Sequence, residues 1–522
     1  MSEIDELGLT VRVRELLNRH PAVGLAVGVV RDGSLEFFHG HGVEDTASNT
    51  PVTQDTVFRI GSITKTFTAI AVMQLYERDC VDLDAPANDY LRAYQLIPAK
   101  PGHRPATVRH LLTHTSGLPE MVYPSRAFKP ILGETVKFGR RLPTLAEFYR
   151  GGLHLVAAPG TRHTYSNHGF ATLGQIVEDV TAQPLGRYFR EHIFAPLGME
   201  HTDLVRSERV MPRLATGYAL RSHGLRSAGD CDLVTVGAGS IYSTTADMAR
   251  YAAALLGGGA NEHGSVLEPE TLAGMFAAHY QPDPRVPGLG LAFFRGGARG
   301  HLVVEHDGLI PGFNSRISLA PDDGVGVVAF TNGVHGGMAW LGAEVSRLLR
   351  HVLGIPDDVF RTDVPHRPET WSDLCGWYSF PGSLRDVQKW FIAGAEVFVR
   401  RGRLVLRPVT PIPALLAVLP LHPDDKDPFV FHIDLSSFGM GTSRVVFSRE
   451  SGGRTTALHL DFSALSFRKQ PAAKSPKWWT TGAVSVLAAA GAARVVQRCG
   501  GRSAGSASSR RSMRDSRKDD DG

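Results

Sequence analysis

Two blocks of strand-patterned sequence, far apart in the chain, restrict the fold more than any other feature. Residues 22–42, PAVGLAVGVVRDGSLEFFHGH, read as two strands joined by a turn at Arg31-Asp32-Gly33. Strand-like runs return much later as LGLAFFR, HLVVEH, SRISLAP and VGVVAFTN. From about 104 to 260 the pattern between them is mostly helical, broken by Gly/Pro loops such as THTSGLPE and APGTRHTYSN. An amphipathic segment, AWLGAEVSRLLRHVLG, closes this unit near residue 355. Strands at both ends with helices between predict one sheet built from both ends of a 1–355 domain, with a helical insertion. The class is α/β.

The remainder divides by composition. Residues 356–370, PDDVFRTDVPHRPET, are polar and Pro-containing and read as a linker. From 371 to 469, short alternating segments such as EVFVRRGRLVLRPV and RVVFSR predict a small all-β domain. Residues 470–522 form a tail, first weakly apolar (WWTTGAVSVLAAAGAA), then low-complexity and basic, which is expected to be disordered. The apolar piece, Trp478 to Ala493, is shorter than the ~20 residues that span a bilayer. It is expected to be a loose tail with at most peripheral membrane association.

Charge and cysteines exclude other classes. The formal net charge of +4 is carried by residues 474–522, where ten Lys/Arg face four Asp, leaving the body at −2. A nearly neutral body gives no argument for a nucleic-acid partner. Cys80, Cys231, Cys375 and Cys499 are widely spaced, so neither a disulfide framework nor a zinc site is expected. The N-terminus, MSEIDELGLTVRVRELLNRH, is charged and helix-patterned and lacks a secretory apolar core, so a cytoplasmic location is expected. Oligomeric state is not legible.

Three short motifs carry chemistry. In GSITKTFTAI, Ser62 and Lys65 stand three apart where an amphipathic helix is predicted to begin. Ser62 could simply cap that helix. The same spacing places the lysine amine over the serine hydroxyl, where it can take the hydroxyl proton if burial lowers its pKa. The pattern is common, and Ser466 to Lys469 repeats it without such context. In TYSN, Tyr165 is the one tyrosine of twelve with an asparagine two residues later. A phenol between two cationic groups can ionise in part and shuttle a proton, while Asn167 can hydrogen-bond the lysine and the substrate carbonyl region. The third motif is His306-Asp307-Gly308, between two strand-like runs, where a sheet edge can border a cleft. A backbone N–H there could complete an oxyanion hole with that of Ser62. His335-Gly336-Gly337 is the weaker rival, because it follows the last strand run.

The ordered set S-x-x-K, Y-x-N, H-x-G resembles the serine beta-lactamase and penicillin-binding-protein superfamily, in particular the class C beta-lactamase-related esterases and D-aminopeptidases. FRIGSITKTFTA, VRHLLTHTSGLP, PGTRHTYSNHGFATLG, FAPLGMEHT and GAGSIYSTTADMARY extend the resemblance over roughly residues 10 to 355. It implies a beta-lactamase-like fold: an antiparallel sheet flanked by helices, an all-helical subdomain, and the site between them. GWYSFPG, at 376–382, resembles the start of the small barrel-like domain appended to some of these hydrolases.

By that resemblance Ser62 is acylated and Lys65 and Tyr165 share the base role. Asn167 helps bind the acyl part, His306 lines the opposite wall, and the Ser62 and Leu309 N–H groups, beside Gly308, form the oxyanion hole. No metal or organic cofactor is implied. His114, in THTSGL, reads as a loop brace. The third element departs from the Lys-Thr-Gly of efficient class C enzymes: His306 is largely neutral at pH 7, and Asp307 is expected to add negative charge beside the cleft. Anionic antibiotics should then bind poorly. The expected function is hydrolysis of small esters, amides or peptides, with a penicillin-binding D-Ala-D-Ala carboxypeptidase or weak beta-lactamase, and a non-catalytic scaffold, as alternatives.

Overall fold

Alternation along the first strand sets up the main sheet. In β1 (Gly24–Arg31), Leu25, Val27 and Val29 join one buried cluster while Ala26 and Val30 join another. Successive side chains of a strand point to opposite faces, so both faces of the sheet are covered. The computed structural model describes residues 5–474, apart from 127, 222, 335–338, 357–360, 362, 384, 411–416, 437–440, 462–464 and 472–473. The apolar and basic parts of the tail and the rival triplet at His335 lie outside the described residues.

The other strands of this sheet are β2 (Ser34–Asp45), β3 (Thr50–Pro51), β4 (Phe294–Ala298), β5 (His301–Ile310), β6 (Phe313–Ala320) and β7 (Val325–Thr331). Their order is β4-β5-β6-β7-β1-β2-β3, so the pairing of β1 with β7 joins the two ends of the unit. Asp32 and Gly33, at φ 49° and 81°, make the tight β1–β2 turn. One expected strand run falls short. Of LGLAFFR only Phe294 and Arg295 enter β4, because Ala292 turns left-handed at φ 66°.

Five helices matter most: α1 (Glu6–Arg19), α2 (Thr64–Glu77), α3 (Asn167–Thr181), α4 (Thr245–Leu256) and α5 (Ala339–Val352). Leu9, Val13 and Leu16 of α1 and Trp340, Leu341, Val345 and Leu348 of α5 cover one face of the sheet. On the other face α4 packs against β1 and β7, and α2 is enclosed by the helical subdomain. The expectation of an amphipathic α2 is corrected here: Thr64 through Leu75 are all buried, the state of a helix walled in on every side. The stretch between 104 and 260 is also less helical than its pattern suggests. Left-handed residues at His114, Gly117, Ile131, Leu132 and Gly133 break it into loops before α3.

Residues 376–470 form a nine-stranded antiparallel sheet around their own core, which includes Tyr378, Leu404, Ile433, Val445, Phe447 and Leu458. Its two outermost strands, Leu419–Pro420 and His422–Pro423, are separated in the chain only by Leu421. A sheet whose first and last strands are chain neighbours must curl until its edges meet, giving a barrel-like shape. The second S-x-x-K lies on the strand Ser466–Gln470, where residues three apart face opposite ways. Ser466 Oγ meets His459 Nδ1 at 2.8 Å, and Lys469 donates to the Asp373 carbonyl.

Apart from Gln470, both sheets lie within one compact unit, residues 1–469. Arg162 Nη1 donates to Asp386 Oδ2 at 2.7 Å and Pro381 O at 3.1 Å, and Met121 N donates to Arg385 O at 2.9 Å. Gln388 N donates to Glu120 Oε2 at 3.1 Å. Pro381 and residues 385–388, from the second sheet's domain, thus dock beside the THTSGLP and TYSN segments. Among the described residues no helix is long and apolar enough to cross a membrane.

Candidate active site

Ser62 lies in the tight turn Gly61–Ile63 that leads into α2, and no side chain caps that helix. The capping role open to Ser62 in the sequence is therefore not the one it takes. Gly61 sits at φ 51°, and a Cβ there would lie 2.9 Å from Leu309 N. A side chain on Gly308 would collide with Ile60 O. These two glycines let β5 pass directly against the backbone that holds Ser62, and Ser315 Oγ ties the strands by donating to Ile60 O at 2.7 Å. The Ser62 and Leu309 backbones are brought to the same spot.

Lys65, on the first turn of α2, is fully buried. Its Nζ donates to Ser62 Oγ at 2.9 Å, Asn167 Oδ1 at 2.8 Å and Ala238 O at 2.8 Å. Burial pulls the amine down to about 7, against the opposing pull of Glu134. Once neutral, the amine keeps two N–H bonds, to Asn167 and Ala238. Its lone pair then faces the Ser62 hydroxyl, the arrangement a base needs.

Tyr165 reaches the same serine, through a side-chain hydrogen bond with Ser62. Burial holds its phenol well above the ordinary range, with the Ser62 bond acting the other way. The expectation of a phenol between two cationic groups is corrected: Lys65 Nζ lies over the ring, 4.8 Å from its centroid, and among the described residues no second Lys or Arg lies over it. The phenol therefore rests protonated. His114 lies against Tyr165, its ring tilted 31° with centroids 4.4 Å apart, and its Nδ1 accepts from Ser166 N at 3.1 Å. It braces the tyrosine turn.

His306 and Asp307 part company. Burial drives His306 down to about 3, helped by the nearby Lys65 charge. Its Nδ1 lies 2.6 Å from Asp307 O, and a carbonyl only accepts, so Nδ1 carries the proton. Nε2 is then a bare acceptor, buried and without a partner among the described residues. Asp307 points to the opposite face of β5, where Arg316 Nη1 donates to its Oδ2 at 2.6 Å and Gly342 of α5 passes beside it, while about half of the side chain stays exposed. The expected negative charge beside the cleft is thus corrected: alternation carries it through the sheet, to a guanidinium. Nor is β5 the sheet edge, since β4 lies outside it and supplies Phe294, 5.6 Å from His306 and 6.5 Å from Tyr165 between ring centroids.

Sequence reasoning missed two partners of the lysine network. Ala238 O sits in the helical turn Val236–Gly239, inside a stretch that carried the resemblance but showed no polar signal. Glu134 accepts from Asn167 Nδ2 at 3.2 Å and Thr235 Oγ1 at 2.8 Å, and it lies in ILGETVK, which has no motif at all.

A sequence model described as Beta-lactamase matches residues 10–352, the whole span that holds these groups. The chain belongs to the beta-lactamase family. Among curated members, the D-alanyl-D-alanine-carboxypeptidase/endopeptidase AmpH of Escherichia coli K12 is 31% identical over 232 residues, covering 44% of this chain and 56% of AmpH. The D-aminopeptidase of Gluconobacter oxydans is 32% identical over 220 residues, covering 42% of this chain and 39% of the relative. This chain therefore spans about half, or less, of the length of these relatives. Among solved structures, the octameric penicillin-binding protein homologue from Pyrococcus abyssi aligns over 89% of this beta-lactamase-family chain and 100% of its own, with TM-score 0.58 and 25% identity. That overlap extends well past residue 352, into the second sheet.

Proposed function

We propose that this chain hydrolyses small esters, amides or peptides through an acyl-enzyme on Ser62. The observation that carries the reading is the buried Lys65 amine, 2.9 Å from Ser62 Oγ and held by two other acceptors. Lys65 takes the Ser62 proton as Oγ attacks the carbonyl carbon. The Ser62 and Leu309 N–H groups receive the negative charge that develops on the carbonyl oxygen. Tyr165, resting protonated, gives its proton to the leaving group and is replenished from Lys65. Water then releases the acyl group by the reverse proton path. Base and acid are divided between Lys65 and Tyr165 in this account, because burial moves each toward its neutral form. Residues 1–355 carry the chemistry, and the docked loop of the 371–469 domain borders the cleft.

Substrate class follows from the wall. A neutral His306 offers an acceptor and no positive charge, which suits a substrate donor group and gives no partner to the carboxylate of an anionic beta-lactam. The names of AmpH and the D-aminopeptidase support amide and peptide substrates. The AmpH likeness also favours a second reading, a penicillin-binding D-Ala-D-Ala carboxypeptidase. Peptide mapping after brief exposure to a p-nitrophenyl ester should find the acyl group on the peptide containing Ser62. Stoichiometric, long-lived labelling by a fluorescent penicillin would move the assignment to the second reading. A protein that neither labels nor turns over any ester, aminoacyl amide or cephalosporin would be a scaffold instead.

His306→Ala removes a wall acceptor but none of the groups that move protons. On esters and amides it should raise KM while kcat stays within about threefold, the pattern of lost uniform binding. A fall in kcat at unchanged KM would place His306 in the chemical step.

A further inference from the structure

Behind the serine and lysine lies a carboxyl group that the proposed mechanism leaves unused. Glu134 is 1% exposed and stands at the head of the short strand Thr135–Lys137, remote in sequence from every motif. Its backbone is fixed from both sides: Glu134 N donates to Ile131 O at 2.9 Å, and Val234 N donates to Glu134 O at 2.8 Å. Its carboxylate faces inward. Oε2 accepts from Thr235 Oγ1 at 2.8 Å and Asn167 Nδ2 at 3.2 Å, while His168 Nε2 lies 3.4 Å from Oε1.

The amide of Asn167 is therefore held at both ends. Its NH2 group must face Glu134, because a carboxylate only accepts; its oxygen must then face Lys65 Nζ, 2.8 Å away. Turned over, the amide would set its NH2 against an ammonium and its oxygen against a carboxylate, two repulsive contacts in a buried place. Resting on the acyl-enzyme reading, we propose that Glu134 is a positioning residue: through Asn167 it fixes the Lys65 amine against Ser62 and governs how readily that amine gives up its proton.

Other groups face Glu134, and among the described residues none of them is a second cation. His168 is driven down to about 3 by burial, so it is neutral, and Tyr149 OH lies 2.7 Å from its Nδ1. Burial also keeps Tyr149 in its protonated form. Thr235 and Asn167 do not titrate. Glu120 adds a weaker push of the same sign on Glu134 and is itself raised to about 7 by burial. Among the described residues Lys65 is the cation that acts on the carboxyl group, and burial raises Glu134 to about 7 against that attraction. Lysine and glutamic acid thus share protons across one amide, either as amine and acid or as ammonium and carboxylate. Only the amine can accept the Ser62 proton.

Glu134→Gln removes the ammonium–carboxylate form while leaving an amide oxygen for Asn167 and Thr235. The acidic limb of kcat/KM for p-nitrophenyl acetate should then move to lower pH by at least about half a unit, since nothing anionic remains to favour the ammonium. Glu134→Ala also releases the amide, and should lower kcat at least about tenfold with KM nearly unchanged. Melting temperatures identify any variant that has lost its fold, and the glutamine variant decides the matter if the alanine variant is insoluble. An unmoved acidic limb in folded Glu134→Gln overturns the proposal, because a purely structural carboxylate would change stability without touching that limb. Ser62→Ala, run alongside, separates the two levels. If it retains turnover, the acyl-enzyme reading fails; if it is inert while the limb of Glu134→Gln stays put, only the role of Glu134 fails.

Discussion

Ser62→Ala is expected to reduce ester and amide turnover to background, and Lys65→Ala to lower kcat/KM at least ~100-fold while leaving the protein folded. The two losses have different origins. Without Ser62 Oγ there is no atom to acylate, so the covalent adduct disappears together with turnover. Without Lys65 the hydroxyl remains, but its nearest replacement base is Tyr165, whose phenol is protonated and held that way by burial. A slow adduct should therefore persist in Lys65→Ala, and stopped-flow release of p-nitrophenol would separate it from the inert Ser62→Ala. The pH profile carries the same argument. The active form has a neutral Lys65, so wild-type kcat/KM should fall about tenfold per unit below pH ~7, where burial has placed that amine. Because Glu134 titrates in the same range, the limb belongs to the pair. Near-normal rates in Lys65→Ala, or a limb near the ordinary carboxylate range, would remove the lysine from the base role.

How much of this was legible depends on the distance over which each feature is determined. The β1–β2 hairpin was legible because a period of two and an Asp-Gly turn are local. So was the proximity of Ser62 and Lys65, since three residues of helix bring them together. In the second domain the strand pattern itself showed only alternation, and the barrel-like expectation rested on the resemblance of GWYSFPG: closure depends on Leu419–Pro420 and His422–Pro423 ending on opposite edges, which no short window encodes. The burial of α2 was misread because its spacing of apolar residues suits either a half-exposed or an enclosed helix. Tertiary packing makes that choice. Glu134 was invisible for a related reason. A glutamate between two loops reads as surface, and it becomes a buried partner of Asn167 only when residues 134, 167 and 235 converge. Its docking counterpart, Glu120 against Gln388, joins residues 268 positions apart.

Asp307 shows what alternation decides once the strand is placed, and the same geometry predicts a large effect on stability. Arg316, on β6, is 6% exposed and lies opposite Asp307 in the register. Its guanidinium bonds Asp307 and Glu305, and its Nε donates to Ser318 Oγ at 3.0 Å. Glu305 and Ser318 are also register partners, so all four polar groups share the sheet face under α5, away from Ser62. The Asp307 side chain is 54% exposed, whereas the guanidinium has no comparable access to water. Removing both carboxylates with Glu305→Gln and Asp307→Asn strands a buried cation, and should cost about 3–5 kcal/mol of stability by denaturant unfolding. Adding Arg316→Met to that pair of changes should recover most of the loss, because an apolar side chain of similar length needs no counter-charge. The order of stability, wild type at or near the triple variant and both well above the double, is the signature of a charge cluster held by mutual compensation. A double variant within about 1 kcal/mol of wild type would mean that Arg316 reaches water, and that β5 lies less deeply beneath α5 than its contacts indicate. Ester turnover by the folded triple variant should match wild type, since every changed side chain faces away from Ser62.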